Sequence, residues 1–262
     1  MRVLAIARNT FRENIRDKVL YNLVLFALLM IVSSLALGQL TLGHTDKVIV
    51  DLGLSSISMI GTLIAIFIGI SLVSKELERR TVYALLAKPV HRWEFILGKF
   101  LGLAFTLTVN VVIMTAGLIL TLAYHGVGVR SCLRLLPAVY LILLSLGLTT
   151  ALALVFSTFS TPALSALFTF FLWVIGHFNG DLLELGRLVE SAVFLRLCRV
   201  LYYVLPNFSN FSAIDSRNII QSAAYYRPID PWGVAWATAY GLVYGALLLG
   251  IAIAVFSRRD FK

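Results

Sequence analysis

Five stretches of this chain carry no Asp, Glu, Lys or Arg: residues 19–45, 52–74, 100–129, 135–180 and 231–257. A helix needs about 20 apolar residues to cross the hydrocarbon of a bilayer. Four of the runs have the length for one crossing each. The 135–180 run would make about 69 Å of helix at 1.5 Å per residue, too long for one crossing. Near its middle lies Ser157-Thr158-Phe159-Ser160-Thr161-Pro162. Pro162 cannot donate a backbone hydrogen bond and suits the first turn of a new helix, so the run splits there. The chain is then an all-α integral membrane protein with six spans and both termini on the same side. Composition agrees: 13% of residues are charged, against about 25% in a soluble domain.

The formal net charge of +9 invites a nucleic-acid partner. The basic residues lie instead at the ends of the apolar runs, the pattern of membrane topology, and no nucleic acid is expected. With the N-terminus inside, residues 1–18, 75–99, 157–162 and 258–262 hold 14 of the 22 Lys and Arg. The short outer flanks hold three, Lys47, Arg130 and Arg134, and the rest fall in a long 181–230 segment. Long translocated segments count little, so both termini are expected in the cytoplasm. The start, MRVLAIARNTFRENIRDK, is too charged to supply the apolar core of a cleavable signal peptide.

Residues 1–18 and 181–230 flank the bundle. Leu4, Ala7, Phe11 and Ile15 recur at spacings of three and four, which predicts one apolar face of a surface helix. Arg8, Arg12 and Arg16 follow that face one position on, where they reach headgroup phosphates. The plainer alternative is a cytoplasmic tail that only sets orientation. Residues 181–205 are rich in Leu, Val and Tyr and read as external helix ended by Pro206-Asn207. A second short helix is expected near Asp215, a good N-cap. No duplicated half is visible, and residues 1–262 read as a single membrane domain.

The charged segment 75–99 between the second and third runs is the most distinctive part. Thr81-Val82-Tyr83-Ala84-Leu85-Leu86-Ala87 has short-helix character, and Lys88-Pro89-Val90 breaks it. The pattern Glu76…Glu78-Arg79-Arg80-Thr81…Leu85-Leu86-Ala87-Lys88-Pro89-Val90…Arg92…Gly98-Lys99 resembles the cytoplasmic loop of type-2 ABC transporter permeases, the six-span membrane subunits of many bacterial exporters. Leu205-Pro206-Asn207-Phe208 resembles the external segment of one branch. Ser257-Arg258-Arg259-Asp260-Phe261 resembles the usual ending of the family. Relatives often carry glycine where Arg80 stands, so the onset of the loop helix differs here.

The resemblance implies a complex in the inner (cytoplasmic) membrane. The permease would pair with a second permease copy or paralogue and with two cytoplasmic ABC ATPase subunits. Residues 1–18 would be the elbow helix. Thr81, Tyr83, Leu85, Leu86 and Lys88 would contact the ATPase, and Glu76, Glu78, Arg79 and Arg80 would orient the loop or pair with that partner. The other reading of these nine residues is a solvated connecting loop. ATP and Mg would bind the partner, with no cofactor in this chain. It has no G-x-x-x-x-G-K-[ST] phosphate loop: Gly98-Lys99 is followed by Phe100, with Trp93 at the first glycine position.

Other chemistry is sparse. No ionisable group interrupts the apolar runs, which argues against a proton relay. His44, His125 and His177 share no short spacing, and Cys132 and Cys198 form no ligand pattern, so no metal site is expected. Ser and Thr are plentiful inside the runs, and Asn110 lies well inside the third. They are helix contacts or the lining of a weakly polar conduit. No catalytic constellation appears, and the chain is not expected to be an enzyme. The function expected is ATP-driven export of a substrate that the sequence does not identify, with no substrate-binding residues assigned. The alternative is mechanotransmission: the same motion would act on an external or membrane partner and pass no substrate.

Overall fold

In a bilayer the backbone must satisfy its own hydrogen bonds, which leaves helix as the solution for charge-free runs. A computed structural model describes residues 2–39, 45–78, 91–128, 132–180, 188–189, 192–211 and 231–258. Among the described residues the elements are all helical. In chain order they are α1 (Arg2–Ile15), α2 (Lys18–Gln39), α3 (Thr45–Glu78), α4 (Arg92–Tyr124), α5 (Leu136–Phe159), α6 (Pro162–His177), α7 (Ala192–Val204), a 3-10 turn (Phe208–Phe211) and α8 (Pro231–Arg258).

The long run breaks where the sequence predicts. Ser160 is extended (φ −115°, ψ 165°), and Pro162 opens α6 from an extended Thr161. Two other boundaries differ from the apolar runs. Helix α3 begins at Thr45, because Asp46 in its first turn complements the positive helix terminus. It ends at Glu78, four residues beyond its apolar run. Helix α4 begins at Arg92. The charged segment 75–99 is therefore helical at both ends, and its residues 79–90 lie outside the described residues.

Among the described residues four helices are long and apolar enough to cross a membrane: Asp46–Ser74, Arg92–Tyr124, Leu136–Phe159 and Pro231–Arg258. The apolar stretches Leu20–Ser34 and Pro162–His177 are shorter. Four strong spans and two short apolar helices thus stand where the sequence predicts six spans. In the 181–230 segment the described helix is Ala192–Val204, and the expected helix start near Asp215 lies outside the described residues.

Helices α3, α4 and α5 pack on one another at the centre. α2 lies against α3 and α4, α6 against α5 and α3, and α8 mainly against α5. One apolar core joins α2, α3, α4 and α5 through Ile31, Ile57, Leu107 and Leu146. A second joins the start of α4 to α5, α8 and the 3-10 turn through Phe95, Leu152, Phe208 and Phe256. Hydroxyls inside the helices are mostly satisfied by their own backbone. Thr106, Thr149, Thr150 and Thr169 each donate to the carbonyl four residues earlier. That arrangement fits the helix-contact reading of these residues better than a polar conduit.

Candidate functional site

The start of α4 gathers the charged groups that the apolar runs lack. His91 is extended and precedes the helix, and its backbone N–H donates to Glu94 Oε2 at 3.0 Å. A carboxylate three residues into a helix satisfies a free donor and complements the helix dipole. Arg92 points to another helix altogether. Its Nη1 donates to the carbonyls of Phe256 at 3.1 Å and Ser257 at 2.6 Å, in the last turn of α8. Phe95 stacks on Phe256 with ring centroids 5.6 Å apart. One turn further, Lys99 is 2% exposed. Its ammonium lies 3.7 Å from Glu13 Oε2 of α1 and 5.7 Å from the Phe95 ring centre.

On another face of α4, Gly98, Gly102 and Thr106 recur every four residues and form one stripe. Helix α1 lies on it. A Cβ on Gly98 would come 2.7 Å from Ile6 Cβ, and one on Gly102 would come 2.7 Å from the Ala7 carbonyl oxygen. Only glycine permits that approach, as at other closely packed membrane helices. Asn14 Nδ2 donates to Thr106 Oγ1 at 3.2 Å. Thr10 and Asn14 are buried, while Phe11 meets Phe105 edge-on at 4.5 Å.

The face of α1 turned to the protein therefore runs through Ile6, Thr10 and Asn14. The apolar stripe Leu4, Ala7, Phe11 and Ile15 lies beside it, with Leu4 75% exposed and Phe11 and Ile15 half-buried. Arg8, Arg12 and Arg16 are all exposed. Of the nine residues assigned to the coupling segment, Glu76 and Glu78, expected to orient it or pair with the partner, fall in the last turn of α3. Arg79, Arg80, Thr81, Tyr83, Leu85, Leu86 and Lys88 lie outside the described residues. Sequence reasoning missed Glu13, Asn14 and the target of Arg92. The Gly98/Gly102 pair facing a helix with Thr10 and Asn14 was the available signal for the α1 contact.

A second constellation lies toward the other end of α8. Phe208 is fully buried and stacks on His177 at 5.5 Å, and Phe211 packs beside Tyr240. The Asn207 N–H donates to Tyr240 Oη at 2.8 Å, and Tyr244 Oη donates to the Val204 carbonyl at 2.8 Å. Asn179 Nδ2 donates to the Tyr202 and Leu205 carbonyls. The Asn207 side-chain oxygen accepts from the N–H and hydroxyl of Ser209. His177 Nδ1 bonds the Trp173 carbonyl. Among the described residues no group of three His, Cys, Asp or Glu is placed to hold a metal.

A bundle of long apolar helices with a charged cluster at the start of α4, directly after the charged segment that follows α3, suits a membrane subunit. A family model described as "ABC-2 family transporter protein" matches residues 4–261. The chain belongs to that family. Comparison with curated proteins gives no match. As an ABC-2 protein it is a multi-pass membrane permease of an ABC transporter, a transport component and not itself a catalyst. Membership implies association with ABC ATPase subunits.

Proposed function

We propose that this ABC-2 permease couples ATP hydrolysis on separate subunits to export, through the segment between α3 and α4. The supporting observation is the anchoring of α4 directly after that segment, to α1 through Glu13 and Asn14 and to α8 through Arg92. A push on residues 79–90 would thus meet a helix end already joined to two others. In this reading α1 is the elbow helix, with Arg8, Arg12 and Arg16 at the headgroups. With six crossings both termini lie on one side, which the Lys and Arg distribution makes the cytoplasm, and two permeases work with two ATPases in the inner membrane. Thr81, Tyr83, Leu85, Leu86 and Lys88 meet the ATPase, and Glu76, Glu78, Arg79 and Arg80 orient the segment.

The test is co-purification of the tagged, detergent-solubilised chain with candidate ATPases, beside Leu85→Asp/Leu86→Asp. Wild type is expected to retain an ATPase and its ATP turnover, and the double variant to lose both. Equal retention by the variant would sink the coupling assignment. A second reading, mechanotransmission to an external partner, draws support from the 204–211 segment, which is bonded to α8 and packed on α6. A closed interface between two permeases, with no passage of substrate size, would favour it over export.

A further inference from the structure

Helix α8 is the least enclosed of the four long spans, with 17% of its apolar window buried against 72% for α3 and α5. It packs along α5, yet its last turn is bonded to α4 by one side chain. The final carbonyls of any helix have no partner within it. Here Arg92 supplies two donors to them, at 3.1 Å to Phe256 and 2.6 Å to Ser257, across 164 and 165 positions of sequence. A cation at that terminus also complements the negative end of the helix dipole. The Phe95–Phe256 stack lies beside the bond.

Arg92 is also the first helical residue after the 79–90 segment. It stands four positions after Lys88, a reach of at most about 14 Å of chain. The same helix start holds α1 through Lys99 and Thr106. A displacement entering at residues 79–90 reaches α1 through Lys99 and α8 through Arg92, with the Phe95–Phe256 stack beside it.

We propose that Arg92 is a positioning residue that carries motion of the 79–90 segment to the last span. Movement of the α4 start drags the C-terminal turn of α8 by its carbonyls. The proposal rests on the coupling role given to this segment above, and the experiment separates the two. Nitroxides are placed through Met59→Cys on α3, with Leu101→Cys on α4 or Ala254→Cys on α8, all at exposed positions. Cys132 and Cys198 are replaced by alanine. The complex with its co-purified ATPases is reconstituted in vesicles. Pair distances are measured by pulsed electron resonance without nucleotide and after trapping with Mg-ATP and vanadate.

In wild type both distances are expected to shift on trapping. In Arg92→Gln the 59–101 shift should persist and the 59–254 shift should be lost, with ATP turnover continuing. Arg92→Lys, which keeps a cationic nitrogen with several N–H donors on a shorter side chain, should recover part of the 59–254 shift. An undiminished 59–254 shift in Arg92→Gln would overturn the proposal and leave the coupling role intact. No shift at either pair in wild type would overturn the coupling role, and this proposal with it. Should Arg92→Gln not elute as folded protein, Arg92→Met keeps the aliphatic stem without the donors and is read by the same criteria.

Discussion

Two levels of α8 are fastened by different chemistry. Near Arg258 the fastening is Arg92 on backbone carbonyls beside the Phe95–Phe256 stack, flanked by the Lys99–Glu13 pair and the Gly98/Gly102 seat of α1. Near Tyr240 it is a pile of rings, His177, Phe208, Phe211 and Tyr240, pinned by hydroxyl-to-backbone bonds. Phe256 and Tyr244 are about 18 Å apart along the helix at 1.5 Å per residue. Interlocked rings resist sliding, because a core at crystal-like density loses contacts with any shift. A guanidinium on carbonyls depends less on close packing. The difference sets an interlocked level of α8 at Tyr240 against a charged contact at its last turn.

The contrast is most sharply broken at the aromatic end. Phe208→Ala removes a fully buried ring, and a loss of about 3–5 kcal/mol is expected. Thermal unfolding followed by size-exclusion fluorescence would show it, and a change under half that would mean the pile is loosely packed. Next comes Gly102→Leu, whose side chain collides with the Ala7 carbonyl and Thr10. Overpacking of this kind costs about 1–3 kcal/mol. Its signature is release of α1, read as new protease cutting between Arg2 and Arg16 while the rest of the bundle holds. The smallest effect belongs to Glu13→Gln. Glu13 is half-exposed, so its pair with Lys99 is worth no more than about 1 kcal/mol and fades with salt. Melting of wild type and variant should converge as salt rises, whereas the Phe208→Ala difference should not.

The positions of the four strongly apolar helices were legible because a charge inside hydrocarbon is costly, so charge-free runs announce themselves. The break before Pro162 was legible for a local reason, the missing donor. The early start of α3 was not, because Asp46, Lys47 and Asp51 interrupt the apolar signal while remaining compatible with helix. The seat of α1 was hidden for a deeper reason. Apolar periodicity finds the face that avoids water, and in a membrane that face turns to lipid as readily as to protein. Leu4 follows the apolar pattern and is exposed, while Thr10 and Asn14 break it and are buried. The partner of Arg92 lies 164 residues away, beyond any spacing rule.

Helix α6 has 16 residues, a rise of about 24 Å, against a hydrocarbon layer of about 30 Å. In the six-span arrangement it is too short to match the leaflets around it. A helix of that length alone would call for a dip in the bilayer or for polar chain near the acyl region, and either costs free energy for each ångström of mismatch. The protein would then shape its surroundings, and lipid composition would act on it. Thicker membranes would strain the face that displays Leu164, Leu167, Phe168 and Phe171, and thinner ones would relieve it.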